Sequence, residues 1–183
     1  KMDVFKEEAI PLALKAIDHA FEQIHSSVHT FKITHLITVS CTGIYSPGID
    51  AALIKALKLP IDIFHTSINF IGCNAAFHAL KIADLIIKAD PQARVLIVCV
   101  ELCTLHFQPR NNHDNLLSNT IFGDGAAAVI LTSETTAVKN KYKGLTINGF
   151  YSLLLDEGKE LMGWNITPTN FEMILNAAIP SFI

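Results

Sequence analysis

The sequence predicts a layered α/β fold on a mostly parallel sheet. Helical-period apolar segments alternate with short, uniformly apolar and β-branched runs, the pattern of strands covered on both faces. The composition agrees. Of 183 residues, 50% are hydrophobic and only 17% charged, and the mean hydropathy is +0.37. So apolar a chain requires a deep core or a large interface, and is the opposite of a disordered one. No apolar run reaches the roughly 18 residues of a membrane helix, so no membrane insertion is expected. The net charge of -3, without a Lys/Arg block, excludes the basic footprint that nucleic acid requires. Four cysteines without a CxxC pair suit free thiols in a reducing cytoplasm.

The elements follow in order. Ile10, Leu14, Ile17, Phe21 and Ile24 share one helical face, and Pro11 places the start of that helix near itself. Residues 33–40, rich in β-branched side chains, predict a strand. Turn residues Thr42-Gly43 and Pro47-Gly48 follow it, then a short helix over 50–59. Ile61 and Ile63 suggest a second strand. Residues 73–89 predict a helix whose polar positions, Asn74, His78, Lys81 and Lys88, form so thin a stripe that the helix should be nearly buried. Val95–Val100 is six apolar residues in a row, a doubly covered strand. A polar loop, the tripeptide Gly123-Asp124-Gly125 and an apolar strand over 126–131 come next. The polar stretch 133–143 reads as a linker between residues 1–132 and 144–183. Residues 144–155 suggest a long strand and residues 170–183 a helix. No internal repeat is present.

Chemistry concentrates at Cys73, which follows Gly72 at a strand-to-helix turn. A helix N-terminus offers unpaired N–H groups and the positive end of the dipole, both of which favour the reactive thiolate. Ala75 and Ala76 leave room beside it for a ligand. Position alone balances this nucleophile against an inert buried thiol; Cys99, inside an apolar strand, reads as core. Gly123 and Gly125 suit a tight turn or a close backbone approach, and Phe122 suits core or a pocket wall. His25 and His29 stand four apart but lack an HExxH context, so no metal site is expected. His78 lies about 140° around the helix from Cys73 and is badly placed as its base. His106 follows the buried strand at its C-terminal end, where α/β sheets tend to place their sites. No phosphate-cradling glycine loop is present.

Three tracts in order, Cys41-Thr42-Gly43-Ile44-Tyr45-Ser46-Pro47-Gly48-Ile49-Asp50, Gly72-Cys73-Asn74-Ala75-Ala76 and Phe122-Gly123-Asp124-Gly125-Ala126-Ala127-Ala128, together resemble the chalcone/stilbene synthase family, the type III polyketide synthases. Trp164-Asn165-Ile166 and Phe171-Glu172-Met173 look like the start of that family's second half. The resemblance implies a thiolase-like α-β-α layered fold, with residues 1–132 part of a first half that carries the nucleophile and 144–183 the start of a second. It implies a homodimer without cofactor that condenses an acyl-CoA starter with malonyl-CoA units. By motif, Cys73 resembles the nucleophile holding the growing chain. Phe122 resembles the gatekeeping aromatic, and Gly123, Asp124 and Gly125 the loop shaping the cavity wall. Cys41, Thr42, Cys103 and His106 fall on the substrate cavity, and Ser46 where a residue reaches the partner subunit's cavity.

The tract Glu101-Leu102-Cys103-Thr104-Leu105-His106-Phe107 looks like bacterial members that make alkylpyrones or alkylresorcinols, so fatty acyl starters are expected over aromatic ones. The family's late histidine and asparagine, and its early CoA-phosphate residues, have no counterpart in this sequence. The natural protein is therefore expected to be longer, and these 183 residues alone to be inactive. Two other readings stay open: a ketoacyl-carrier-protein synthase III-like condensing enzyme, which shares the helix-capping cysteine and the Phe-Gly-Asp-Gly loop, and a non-catalytic thiolase-fold subunit.

Overall fold

Four strands build the central sheet of the computed structural model, which describes residues 1–158, 160–167 and 171–179. They are β1 (His35–Ser40), β2 (Phe64–Asn69), β3 (Arg94–Leu102) and β4 (Asp124–Thr132), in the spatial order β2-β1-β3-β4. β1 runs parallel to both β2 and β3, whereas β4 returns antiparallel to β3. The sheet is thus mostly parallel, as expected, with one antiparallel edge strand. The chain between β3 and β4 holds a 3-10 turn (Cys103–His106) and helix α5 (His113–Ile121), and α5 packs against the later strand β6 (Phe171–Leu175) rather than crossing a face of the sheet.

Side chains alternate across the sheet with the period of two that a pleated strand dictates. Leu36, Leu96, Val98, Val100 and Leu102 point to one face, against helices α1 (Met2–Gln23) and α3 (Ile49–Ala56). Ile37, Val39, Val95 and Ile97 point to the other, against helix α4 (Ala75–Ala89). Phe5, Ala9, Ala13 and Ile17 form a fully buried i, i+4 row on α1. Gly43 lies against the Phe5 ring so closely that any Cβ there would overlap it.

Several sequence expectations are corrected. α1 begins at Met2 and runs through Pro11, which sits on the exposed side; core packing of Phe5 and Ala9 outweighs the hydrogen bond lost at proline. Ile61 is almost wholly exposed and β2 starts only at Phe64. α4 is half-open, not nearly buried: Ala75, Ala79 and Ala83 face the sheet while Phe77 and Leu85 are exposed. The loop ahead of the Gly-Asp-Gly tripeptide contains α5, held by Asn112, whose side chain accepts from the Asn115 N–H at 2.9 Å. Asp124 and Gly125 already belong to β4, and neither Gly123 nor Gly125 is crowded.

The stretch read as a linker carries helix α6 (Glu134–Asn140), capped by Ser133. The short helix α2 (Val28–Phe31) is likewise capped, by Ser27. Residues 144–155 form no strand and are mostly exposed; among the described residues none pairs with them. The helix expected over 170–183 is overturned where it is described. Phe171–Leu175 is β6, antiparallel to β5 (Met162–Ile166), with Trp164 opposite Met173. Asn170 and residues 180–183 lie outside the described residues.

Candidate active site

The Cys73 turn joins the C-terminal end of β2 to α4. Gly72 has φ +94, a conformation that demands glycine, and its carbonyl accepts the Ala75 N–H at 3.1 Å. Asn74 is the N-cap, so Cys73 stands just outside the helix, with an exposed side chain. The expected lowering of its thiol by the helix terminus is not realised. Protein packed behind the sulfur pushes the thiol above its ordinary value, with Cys41 and Glu101 acting in the same sense and only the local backbone opposing. His78, exposed, contacts Asn74 instead. Among the described residues no imidazole is hydrogen-bonded to the Cys73 sulfur.

Beside this turn, the chain leaving β1 wraps the carboxylate of Glu101, near the end of β3. The Cys41 N–H donates to both carboxylate oxygens, at 2.8 and 3.1 Å. The Thr42 hydroxyl donates at 2.6 Å and the Ser40 hydroxyl at 3.4 Å. Thr42 Oγ1 accepts in turn from the Leu102 N–H at 2.9 Å. Burial pushes the Glu101 carboxyl above the usual carboxylate range, against the pull of these donors. The Cys41 thiol reaches back to the Gly72 carbonyl at 3.6 Å, which ties the Glu101 group to the Cys73 turn. Burial first and Glu101 second push the thiols of Cys99 and Cys103 up to about 11. Asp124 accepts from the Thr104 N–H and hydroxyl at 2.9 and 2.6 Å, clamping the start of β4 to the turn that follows β3.

An aromatic cluster walls the other side. His106 is buried, and its Nε2–H donates to the Thr42 carbonyl at 2.6 Å. Burial holds this imidazole below its ordinary pKa. Its ring stacks on Phe171 at 4.3 Å and meets Trp164 edge-on at 5.4 Å. Phe171 also meets Phe70, which precedes the Cys73 turn, at 5.2 Å. The Trp164 indole N–H donates to the Cys41 carbonyl at 2.8 Å.

The fold therefore sets Cys41 and Thr42 directly on Glu101, Cys73 and Cys103 within reach of its charge and His106 on the Thr42 carbonyl, with Asp124 and Gly125 at the β4 edge opposite Leu102 and Glu101. Phe122 is half-buried at the end of α5 and Gly123 is exposed; neither belongs to this hydrogen-bonded group. Ser46 is exposed on the loop before α3. Sequence reasoning gave Glu101 and Trp164 no role. A carboxylate closing the apolar run Val95–Val100 was the available signal for the first. Among the described residues, no three His, Cys, Asp or Glu side chains are placed to hold a metal, and no helix is long and apolar enough to cross a membrane.

The family of chalcone and stilbene synthases, represented by its N-terminal domain, matches residues 1–135. The chain belongs to this family. The whole chain is 28% identical to a Mycobacterium tuberculosis protein described as alpha-pyrone synthesis polyketide synthase-like Pks18, and covers 46% of it. Among solved structures, the C-terminal type III polyketide synthase domain of Steely1 from Dictyostelium superposes with a TM-score of 0.84 at 28% identity, over all of this chain and 49% of that one. A polyketide synthase of the brown alga Ectocarpus siliculosus superposes at 0.86 and 29% identity, over 100% and 47%. The fold is thus the thiolase-like one that the family resemblance implied, and the chain spans about half the length of the curated relatives it matches.

Proposed function

We propose that the protein is an acyltransferase that condenses an acyl-CoA starter with malonyl-CoA to make a polyketide. The observation that carries this reading is the Cys73 thiol, exposed on a turn at the mouth of a half-open helix, in a chain of this family. The sulfur attacks the starter thioester carbonyl and the CoA thiol leaves, giving an acyl-enzyme. Loss of carbon dioxide from malonyl-CoA supplies an enolate that attacks this new thioester, and Cys73 is released. A thiol held above its ordinary value needs a proton acceptor for the first step. The family resemblance assigns that proton to a histidine, which with an asparagine also binds the thioester carbonyl and drives malonyl decarboxylation; neither has a counterpart among these 183 residues, and we place such a pair in these roles here. Cys41, Thr42, Cys103 and His106 line the cavity, Phe122 gates it, and Gly123, Asp124 and Gly125 shape its wall. The protein acts as a homodimer, with Ser46 near the partner's cavity; the exposed residues Phe64–Ser67 on the edge strand β2 suit such a second copy.

Cys103 and His106 support fatty acyl starters over aromatic ones. The test offers the full-length protein a long-chain acyl-CoA or coumaroyl-CoA, each with malonyl-CoA, and follows products by mass spectrometry. Polyketide from the fatty starter, falling roughly 10³-fold or more in Cys73→Ala, is the expected outcome. Preference for coumaroyl-CoA overturns the starter assignment. A strict need for malonyl carrier protein overturns the polyketide reading.

A further inference from the structure

The β5–β6 pair comes almost a hundred residues after the nucleophile, yet a continuous set of contacts runs from it to the Cys73 turn. We infer that Trp164 is a positioning residue, holding the Cys73 turn in place through Cys41. The first link is the Trp164 indole N–H on the Cys41 carbonyl, at 2.8 Å. The second is the Cys41 thiol on the Gly72 carbonyl, at 3.6 Å, one residue from the nucleophile. Cys41 is fixed between these links, because its own N–H is bound to both oxygens of Glu101. Trp164 is fixed as well. Its ring lies edge-on to His106 and to Phe171, at 5.4 and 5.6 Å, and His106 is anchored to the Thr42 carbonyl. A second brace runs in parallel: Phe171 meets Phe70, three residues before Cys73, at 5.2 Å. Outside the cluster, Arg110 on the chain leading to α5 pairs with Glu172 of β6 at 2.8 Å.

A turn with Phe70 and Gly72 both at positive φ is held by few backbone hydrogen bonds, Phe70 N–H on the Ser40 carbonyl at 3.3 Å and Ala75 N–H on the Gly72 carbonyl at 3.1 Å, so outside contacts help to set its geometry. The Trp164–Cys41–Gly72 chain keeps the sulfur against packed protein, the condition that pushes the thiol up. Loosening it draws the already exposed sulfur away from the protein packed behind it and off the line of acyl transfer. The two consequences have opposite signs: faster reaction with a small alkylating reagent, slower reaction with a thioester that must be aligned.

This inference rests on Cys73 being the acyl acceptor only for its second readout. Trp164→Phe keeps the ring and removes the donor. In the full-length protein, a lost neutral hydrogen bond of this kind is worth roughly a factor of five. Trp164→Phe is therefore expected to speed iodoacetamide alkylation of Cys73 by about that factor, with its pH profile moved to lower pH. Cys99 labelling stays unchanged as the internal control. Acyl-enzyme formation from a starter acyl-CoA slows by a similar factor, in kcat rather than KM. Cys41→Ala breaks the second link, leaves the indole and its carbonyl partner in place, and also removes a thiol that itself pushes Cys73 up, so the double variant rather than this single one carries the test. Cys41→Ala should reproduce the effect, and the double variant should be no worse than Cys41→Ala alone, the non-additivity of one shared path. Additive effects, or a Cys73 alkylation rate unchanged in both single variants, overturn the inference. So does a rise in Cys99 labelling to match that of Cys73, which would mark general loosening. If the alkylation results hold while no acyl-CoA is turned over, the positioning stands and the functional reading fails.

Discussion

The two faces of the central sheet are built in opposite ways. On one, α1 and α3 bring large side chains, Phe5, Ile17 and Leu53, into complete burial against Leu36, Leu96 and Val98. On the other, α4 meets Ile37, Val39 and Ile97 through the buried Ala75, Ala79 and Ala83, flanked by the partly buried Leu80, Ile82, Ile86 and Ile87, and turns Phe77 and Leu85 outward. Bulky residues fill space and hold a helix at a distance. The alanine row seats α4 on the sheet with its leading turn, which carries Cys73, beside Cys41, whose thiol reaches the Gly72 carbonyl at 3.6 Å. The first face supplies stability, whereas the second sets the position of the site.

The largest effect should come from breaking the first face. Leu53→Ala removes a fully buried side chain and should cost about 2–5 kcal/mol, the range for such cavities. Urea denaturation of the full-length protein should show a lowered midpoint with an unchanged slope, while Cys73 alkylation in the fraction that stays folded keeps its rate. Ala79→Leu tests the second face. Overpacking there should cost about 1–3 kcal/mol and also lift α4, separating Gly72 from Cys41. The sharper readout is therefore acyl-enzyme formation, expected to fall more than the change in melting temperature alone accounts for. Equal behaviour of the two variants in both assays would erase the proposed division of labour.

The same division explains what was legible in the sequence. β1, β3, α3 and α4 announce themselves through apolar runs or helical periodicity, because burial writes directly into residue type. The turn before α4 shows itself through Gly72, the residue its positive φ requires. α5 and α6 carry little apolar signal and depend on the caps Asn112 and Ser133, which polar loops also contain. Phe171–Leu175 is too short an apolar run to separate strand from helix without its partner β5. The site was legible one residue at a time. That Cys41, Thr42 and Glu101 form one unit depends on hydrogen bonds across about sixty residues of chain, and the Trp164 bond to Cys41 spans 123. No local pattern encodes pairings at that range.

Glu101→Gln sharpens the contrast on the site side at modest cost. A carboxylate disfavours a neighbouring thiolate, so replacing it with a neutral amide should let the thiols of Cys103 and Cys99 ionise at lower pH than about 11, with Cys73 shifting the same way. Alkylation at fixed alkaline pH should then rise at all three. The stability sign is separate. The folded state raises the Glu101 carboxyl, so it favours the protonated form. This destabilising contribution is absent below the unfolded carboxyl's ordinary value and grows as pH rises through the raised one. The variant should lose that slope in melting temperature against pH, whereas a change confined to the α1 and α3 face leaves it intact.

The smallest expected effect lies on the outward side of α4. Asp84 and Lys88 form an i, i+4 ion pair at 2.7 Å, with the lysine side chain 70% exposed and the aspartate side chain 20% exposed. The acid stands N-terminal to the base, the favourable order along a helix, yet such pairs contribute only about 0.3–0.5 kcal/mol because water and salt screen them. Asp84→Asn should therefore shift stability by no more than about 0.5 kcal/mol, and that shift should vanish in high salt. It should also leave Cys73 alkylation unchanged, since Asp84 follows Ala83 by one position and leans away from the sheet-facing row that fixes the turn. A loss of several kcal/mol, or a change in Cys73 reactivity, would show that the outward side of α4 also helps to place the nucleophile, and that the alanine row is only part of what holds it.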